Sequence, residues 1–156
     1  MDFDRLMQLL GALERHAVEY VLVGGAAVNF HGLARMTDDA DLFVRPEADN
    51  VERLKKALHS IWSDPAIDEI SAEELTGEYP TIRYGPPNED FVVDLISRLG
   101  DAFRFEDLEW APVPFEGVVV RLATPKTLYR MKKDTVRPKD RGDAELLRRR
   151  FNIEEK

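Results

Sequence analysis

The apolar positions of this chain change period along its length, and each change marks an element. Phe3, Leu6, Leu9, Leu10, Leu13 and Val18 recur at helical spacing, so residues 2–17 are predicted as an amphipathic helix with Met7 and the leucines in the core. Tyr20-Val21-Leu22-Val23 is a continuous apolar run rich in β-branched residues, the pattern of a buried strand. Gly24-Gly25 ends that run as a turn, and Ala26 to His31 follows as a short helix broken by Gly32. Leu42-Phe43-Val44 is a second apolar strand. Pro46 stands near the start of a helix whose stripe is Val51, Leu54, Leu58 and Ile61, and Trp62 and Ile67 extend its packing surface.

Further on, Ser71-x-x-Glu74 reads as a capping box opening a short helix, a surface role that outweighs metal binding by Glu73 or Glu74. Thr81-Ile82-Arg83-Tyr84 alternates as a strand does, Gly85-Pro86-Pro87-Asn88 is a turn, and Phe91 to Ile96 is an apolar strand. Residues 103–109 are predicted as a short helix. Trp110 to Phe115, interrupted by two prolines, suits a loop or an edge strand, and Val118 to Leu122 is the last strand. Thr124-Pro125 combines a cap residue with proline at the first helical position, so a helix starts there with Leu128 and Met131 facing inward. Pro138 opens a final helix with Ala144, Leu146, Leu147 and Phe151 as core candidates. The sum is an α/β (α+β) fold, a mixed sheet of about five strands flanked by helices. One domain is expected over residues 1–156, with a sheet-containing core over 1–122 and the helices of 123–156 packed on it.

Composition narrows the class. Hydrophobic residues make up 44% and charged residues 33% of the chain, as in soluble globular proteins, and no apolar run approaches the roughly 20 residues of a membrane span. Asp2 and Asp4 stand where a signal peptide would be basic, and there is no cysteine to form a disulfide, a thiolate metal site or a nucleophile, so the expected compartment is the cytoplasm. The net charge of −8 argues against broad nucleic-acid binding, although residues 126–150 are locally basic and could hold a nucleotide or an RNA end. A solvated helical face accounts for the same charges equally well.

The chemistry concentrates in three aspartates. Asp39 and Asp41 run into the second apolar strand, and residues two apart on a strand share a face. Both carboxylates then project together while Ala40 and Leu42 point into the core. Two adjacent carboxylates repel each other, and a divalent cation offsets that repulsion; Mg²⁺ takes one or two carboxylates plus substrate phosphates. Asp94 sits inside the apolar strand Phe91–Ile96, where a charge needs a partner. That partner is a backbone group or arginine in one reading and a shared metal in the other, and the second is preferred. Asp38, three residues from Asp41, belongs to the opposite strand face. His31 and Arg35 are near in sequence without a geometric case, and His16, near a helix C-terminus, gets no catalytic role.

A strand ending in Gly-Gly, a short helix, then Arg35-x-Thr37-x-Asp39-x-Asp41-Leu42 resembles the nucleotidyltransferase superfamily with its polymerase-β-like fold, and in particular the small toxin-type members of abortive-infection systems. Lys132 followed by Arg137-x-Lys139-Asp140-x-x-Asp143 is similar to their C-terminal helical signature. The resemblance implies two Mg²⁺ (or Mn²⁺) ions on Asp39, Asp41 and Asp94, with Asp94 helping to deprotonate the acceptor. It implies a nucleoside triphosphate against Gly24, Gly25, Lys132 and Arg137. The acceptor would be a protein, an RNA or a small-molecule hydroxyl, and a cognate toxin or antitoxin protein is a possible partner; the alternative is an inactive, antitoxin-like binding protein. Gly25 departs from the broader superfamily, where a serine is frequent, and agrees with the toxin branch. Asp140 and Asp143 are read as capping residues paired with arginines. Loss of Lys132 is expected to weaken nucleotide binding and spare the fold.

Overall fold

The computed structural model describes residues 2–33, 37, 39–78, 80–99, 103–133, 135 and 137–154. The chain opens with α1 (Phe3–Arg15), capped by Asp2, whose carboxylate accepts from the Arg5 amide at 3.0 Å. Then follow β1 (Tyr20–Val23), α2 (Gly24–Phe30), β2 (Asp39–Val44) and α3 (Ala48–His59). A 3₁₀ turn (Pro65–Glu69) and the one-turn α4 (Ala72–Thr76) lead to the hairpin of β3 (Thr81–Tyr84) and β4 (Val92–Ile96). Ser71 caps α4 by accepting from the Glu74 amide at 3.2 Å. A two-stranded ribbon, β5 (Arg98–Leu99) with β6 (Phe103–Arg104), runs into a 3₁₀ turn (Phe105–Asp107). The chain closes with β7 (Trp110–Phe115), β8 (Val118–Ala123), α5 (Pro125–Lys132) and α6 (Pro138–Phe151).

Six strands form one mixed sheet in the order β3-β4-β2-β1-β8-β7. The pairs β1–β2, β3–β4 and β7–β8 are antiparallel, and β2–β4 and β1–β8 are parallel. β1 and β2 lie at the centre and are the most apolar: Val21, Leu22, Ala40, Leu42, Phe43 and Val44 have no exposed surface. Leu9, Leu10 and Leu13 of α1 and Leu54 and Leu58 of α3 are equally buried and complete the core on the helical side.

Several sequence expectations need correction. Of the two readings of the stretch 110–115, the edge strand holds, and it brings the mixed sheet to six strands. Pro112 and Pro114 share one phase of its alternation, so the missing donors fall on one side, which an edge strand can leave unpaired. Residues 103–109 are not a helix but the short strand β6 and a 3₁₀ turn, which bury Phe105 and Leu108. Gly24 and Gly25 do not form a separate turn; they are the first residues of α2. Phe3 is 44% exposed, packing edge-on against Phe115 at 5.8 Å, and Leu146 and Phe151 stand on the outer side of α6, while Ala144 and Leu147 are buried as expected. No helix among the described residues is long and apolar enough to cross a membrane.

Candidate active site

The register of the central sheet brings the acidic side chains together. β1 leaves its last residue, Val23, opposite Asp41 of β2. On the other side of β2, Asp41 pairs with Asp94 of β4 and Asp39 with Val92. One strand further out, Arg83 of β3 faces Asp94. Residues directly opposite share a face, so Arg83, Asp94 and Asp41 form a row across three strands, with Asp39 two residues along β2 on the same side. Asp39, Asp41 and Asp94 therefore share one face of the sheet.

Gly24 fixes the close side of this row. It takes φ +71°, so β1 turns into α2 without an intervening loop. A Cβ at this position would lie 2.0 Å from Oδ2 of Asp41. The carboxyl thus rests on backbone that only glycine leaves open. Gly24→Ala is expected to push Asp41 off the row and to cost about 1–3 kcal/mol from the left-handed backbone alone. Thermal unfolding checks this against Gly85→Ala, where a new Cβ would meet nothing within 4 Å; equal melting temperatures would remove Gly24 from the site's architecture.

Electrostatics follow from crowding. Burial, then the charge of Asp94 and a hydrogen bond shared with it, push the Asp41 carboxyl up to about 7 from 3.8, opposed by the charge of Lys132. Asp94 is also raised, mainly by burial and against the pull of Arg83. Burial and the neighbouring carboxylate thus both favour the protonated form of Asp41. Arg83 supplies the local cation: its Nη1 lies 3.3 and 3.2 Å from the two oxygens of Asp94 and 3.4 Å from Oδ2 of Asp39. Among the described residues no group of three or more acidic, histidine or cysteine side chains is placed as it stands to hold a metal ion. Two of the three acids are turned onto Arg83 instead, and a Mg²⁺ that keeps water and substrate phosphate as ligands does not need such a group. The donor set, hard carboxylate oxygens beside side-chain-free backbone, fits a divalent cation with a phosphate.

A cleft of about 640 Å³ opens over the row. Gly24, Gly25, Asp39, Asp41, Arg83 and Asp94 line it from the sheet, and Leu128, Met131, Lys132, Arg137 and Lys139 line it from α5 and the start of α6. Arg137 is 70% exposed, 3.7 Å from Asp140. Lys132 lies otherwise than expected. It is 7% exposed, and its ammonium donates to Asp143 at 3.0 Å and Asp140 at 3.3 Å, with Thr135 donating to Asp140 at 3.2 Å. The main partner of the two aspartates is therefore this lysine rather than the arginines, so a cost to the fold on losing Lys132 is now expected. A second groove of about 570 Å³, between α5 and the end of α6, contains Lys126 and Arg130 but no carboxylate cluster. Chemistry therefore places the candidate site in the first.

Other residues singled out in the sequence lie elsewhere. His31 donates from Nε2 to the Ala123 carbonyl at 2.7 Å and meets Phe151 edge-on, tying α2 to the end of β8. Glu73 and Glu74 are exposed on α4 and do not line the cleft. Arg35 and Asp38 fall outside the described residues. The residue that sequence reasoning missed is Arg83. Its only signal was its place on an alternating strand just before a turn.

The family model described as nucleotidyl transferase AbiEii toxin, type IV TA system, matches residues 8–145. Two solved structures share the fold. The crystal structure of ANT(2″)-Ia in complex with adenylyl-2″-tobramycin is 13% identical with a TM-score of 0.58, covering 95% of this chain and 88% of that one. The solution structure of the antibiotic-resistance factor ANT(2″)-Ia is also 13% identical with a TM-score of 0.58, covering 97% and 86%. No curated protein matches the chain significantly.

Proposed function

This chain belongs to the AbiEii family of nucleotidyl transferase toxins of type IV toxin–antitoxin systems, and we propose that it moves a nucleoside monophosphate from a triphosphate, held with Mg²⁺ or Mn²⁺ over Asp39, Asp41 and Asp94, to an acceptor hydroxyl. The observation that carries this reading is the row of three aspartates on adjacent strands with Asp41 seated against Gly24. The divalent ions would neutralise the triphosphate and leaving pyrophosphate and acidify the attacking hydroxyl. Asp39 and Asp41 of β2 and Asp94 of β4 would hold them. Asp94, with its raised carboxyl, is the group to accept the acceptor's proton. Gly24 and Gly25 leave side-chain-free backbone where phosphate would lie, and Arg137 and Lys139 bring cations to the cleft's edge. Lys132 acts through its charge on Asp41.

The acceptor is a hydroxyl of a protein, an RNA or a small molecule. A small molecule has support in the structural neighbour, which is seen with an adenylylated aminoglycoside. The deciding experiment incubates the protein with each labelled nucleoside triphosphate, Mg²⁺ or Mn²⁺, and host extract, then separates proteins, RNA and small molecules. Label should enter one of these fractions only when the metal is present. No transfer with any of the nucleotides, from protein that is folded and metal-loaded, would defeat the proposal.

A further inference from the structure

Arg83 has no part in the fold's core and none in the transfer chemistry above, yet it makes the closest cationic contacts of the acid row. Its strand β3 is one edge of the sheet, and its side chain is 62% exposed. One nitrogen, Nη1, lies between two acids: 3.4 Å from Oδ2 of Asp39, 3.3 Å from Oδ1 of Asp94 and 3.2 Å from Oδ2 of Asp94. That is the space a hard cation shared by Asp39 and Asp94 would take. Its guanidinium brings a positive charge to the row. An exposed ion pair on a long side chain is held weakly, however, and its partners can be taken from it. Arg83 is hydrogen-bonded to Asp39 and Asp94, the two acids nearest the open side of the row, while Asp41 rests against Gly24. Without metal, then, Asp39 and Asp94 are bridged by one movable arginine.

We propose that Arg83 is a resident counter-ion of the acid row, bridging Asp39 and Asp94 in the metal-free protein and displaced when a divalent cation binds, so that it sets the metal affinity of the site. This rests on the reading of the three aspartates as the metal site. Arg83 is a positioning residue: it holds the carboxylates in place until metal arrives and competes with that metal. Removing it leaves the row more negative and uncontested. At about 4 Å, even with the screening of bulk water, a unit cation repels a divalent ion strongly enough to change its affinity about tenfold or more.

Binding of Mn²⁺ alone, followed by electron paramagnetic resonance of the free ion, tests this without any turnover. Arg83→Gln should bind Mn²⁺ about tenfold more tightly than the wild type, while Arg83→Lys, which keeps the charge, stays near it. Arg83→Thr suits an edge strand and gives the same test should the glutamine variant fold poorly by circular dichroism. Equal or weaker Mn²⁺ binding in the folded neutral variants, with binding in the wild type that is lost in Asp41→Asn, would overturn the role of Arg83 and leave the aspartate site standing. No Mn²⁺ binding by the wild type or the neutral variants would overturn the aspartate site itself, and this inference with it.

Discussion

Asp41→Asn is expected to reduce nucleotidyl transfer by about 10²–10³-fold or more and, in the metal-free protein at pH 8, to raise stability by on the order of 1–3 kcal/mol. The two effects have one origin. The Asp41 carboxyl is pushed up to about 7, first by burial and then by Asp94. Its ordinary value in the unfolded chain is 3.8. Below about pH 4 both states hold the proton and the group contributes nothing that varies. Between pH 4 and 7 the folded state holds more protons than the unfolded one, so stability falls as pH rises, and the loss is complete above 7. A shift of about three units corresponds to about 4 kcal/mol. Asparagine recovers part of it, because a neutral amide keeps the shape and can still donate to Asp94. Urea denaturation in chelator at pH 5 and pH 8 reads this directly: the wild type should lose stability between the two, and Asp41→Asn should lose much less. With Mn²⁺ added at pH 8 the order should reverse, since only the wild type gains the full stabilisation of a ligand bound to the folded state. An Asp41→Asn protein less stable than wild type in chelator at pH 8 would make Asp41 a structural acid.

The acid row was legible because two short-range patterns met. Asp39 and Asp41 share a phase on an apolar strand, and Asp94 interrupts an apolar run, so each carried its own signal of an unusual partner. Their meeting depends on β2 and β4 being parallel neighbours in register, which residue patterns alone do not specify. The place of Arg83 depends on something more local and harder to read, the register of the β3–β4 hairpin. That register passes through residues 85–91, where Asn88 takes φ +62°. A one-residue slip there would send Arg83 to the other face. The exposed Phe3, Leu146 and Phe151 show the limit of periodicity. It finds the apolar side of a helix but not how far a neighbour covers it. Asp140 and Asp143, three apart on one helix, do share a face. Their sequence neighbours are arginines, so arginine pairing was the natural reading. Tertiary packing put a lysine from the preceding helix between them.

That packing yields the second large effect. Lys132→Ala is expected to destabilise the protein by about 3–5 kcal/mol, a large share of the roughly 5–15 kcal/mol of a typical domain. Asp140 and Asp143 have side chains only 13% and 5% exposed, and both point at the Lys132 ammonium. Truncating the lysine takes the buried ammonium away from both carboxylates, while Thr135 still donates to Asp140 and Arg137 lies 3.7 Å from it. The cost comes from the charges left behind, so it should shrink when one of them is also removed. Lys132→Met with Asp143→Asn is therefore expected to be more stable than Lys132→Met alone, a non-additivity that double-mutant analysis of urea midpoints measures. The loss also reaches the site: Lys132 is the charge that holds the Asp41 carboxyl down, so metal binding in a folded Lys132 variant should move to higher pH. If Lys132→Ala stayed within about 1 kcal/mol of wild type, the range of an exposed ion pair, the triad would be one that water reaches, and the wall formed by α5 and α6 would not depend on it.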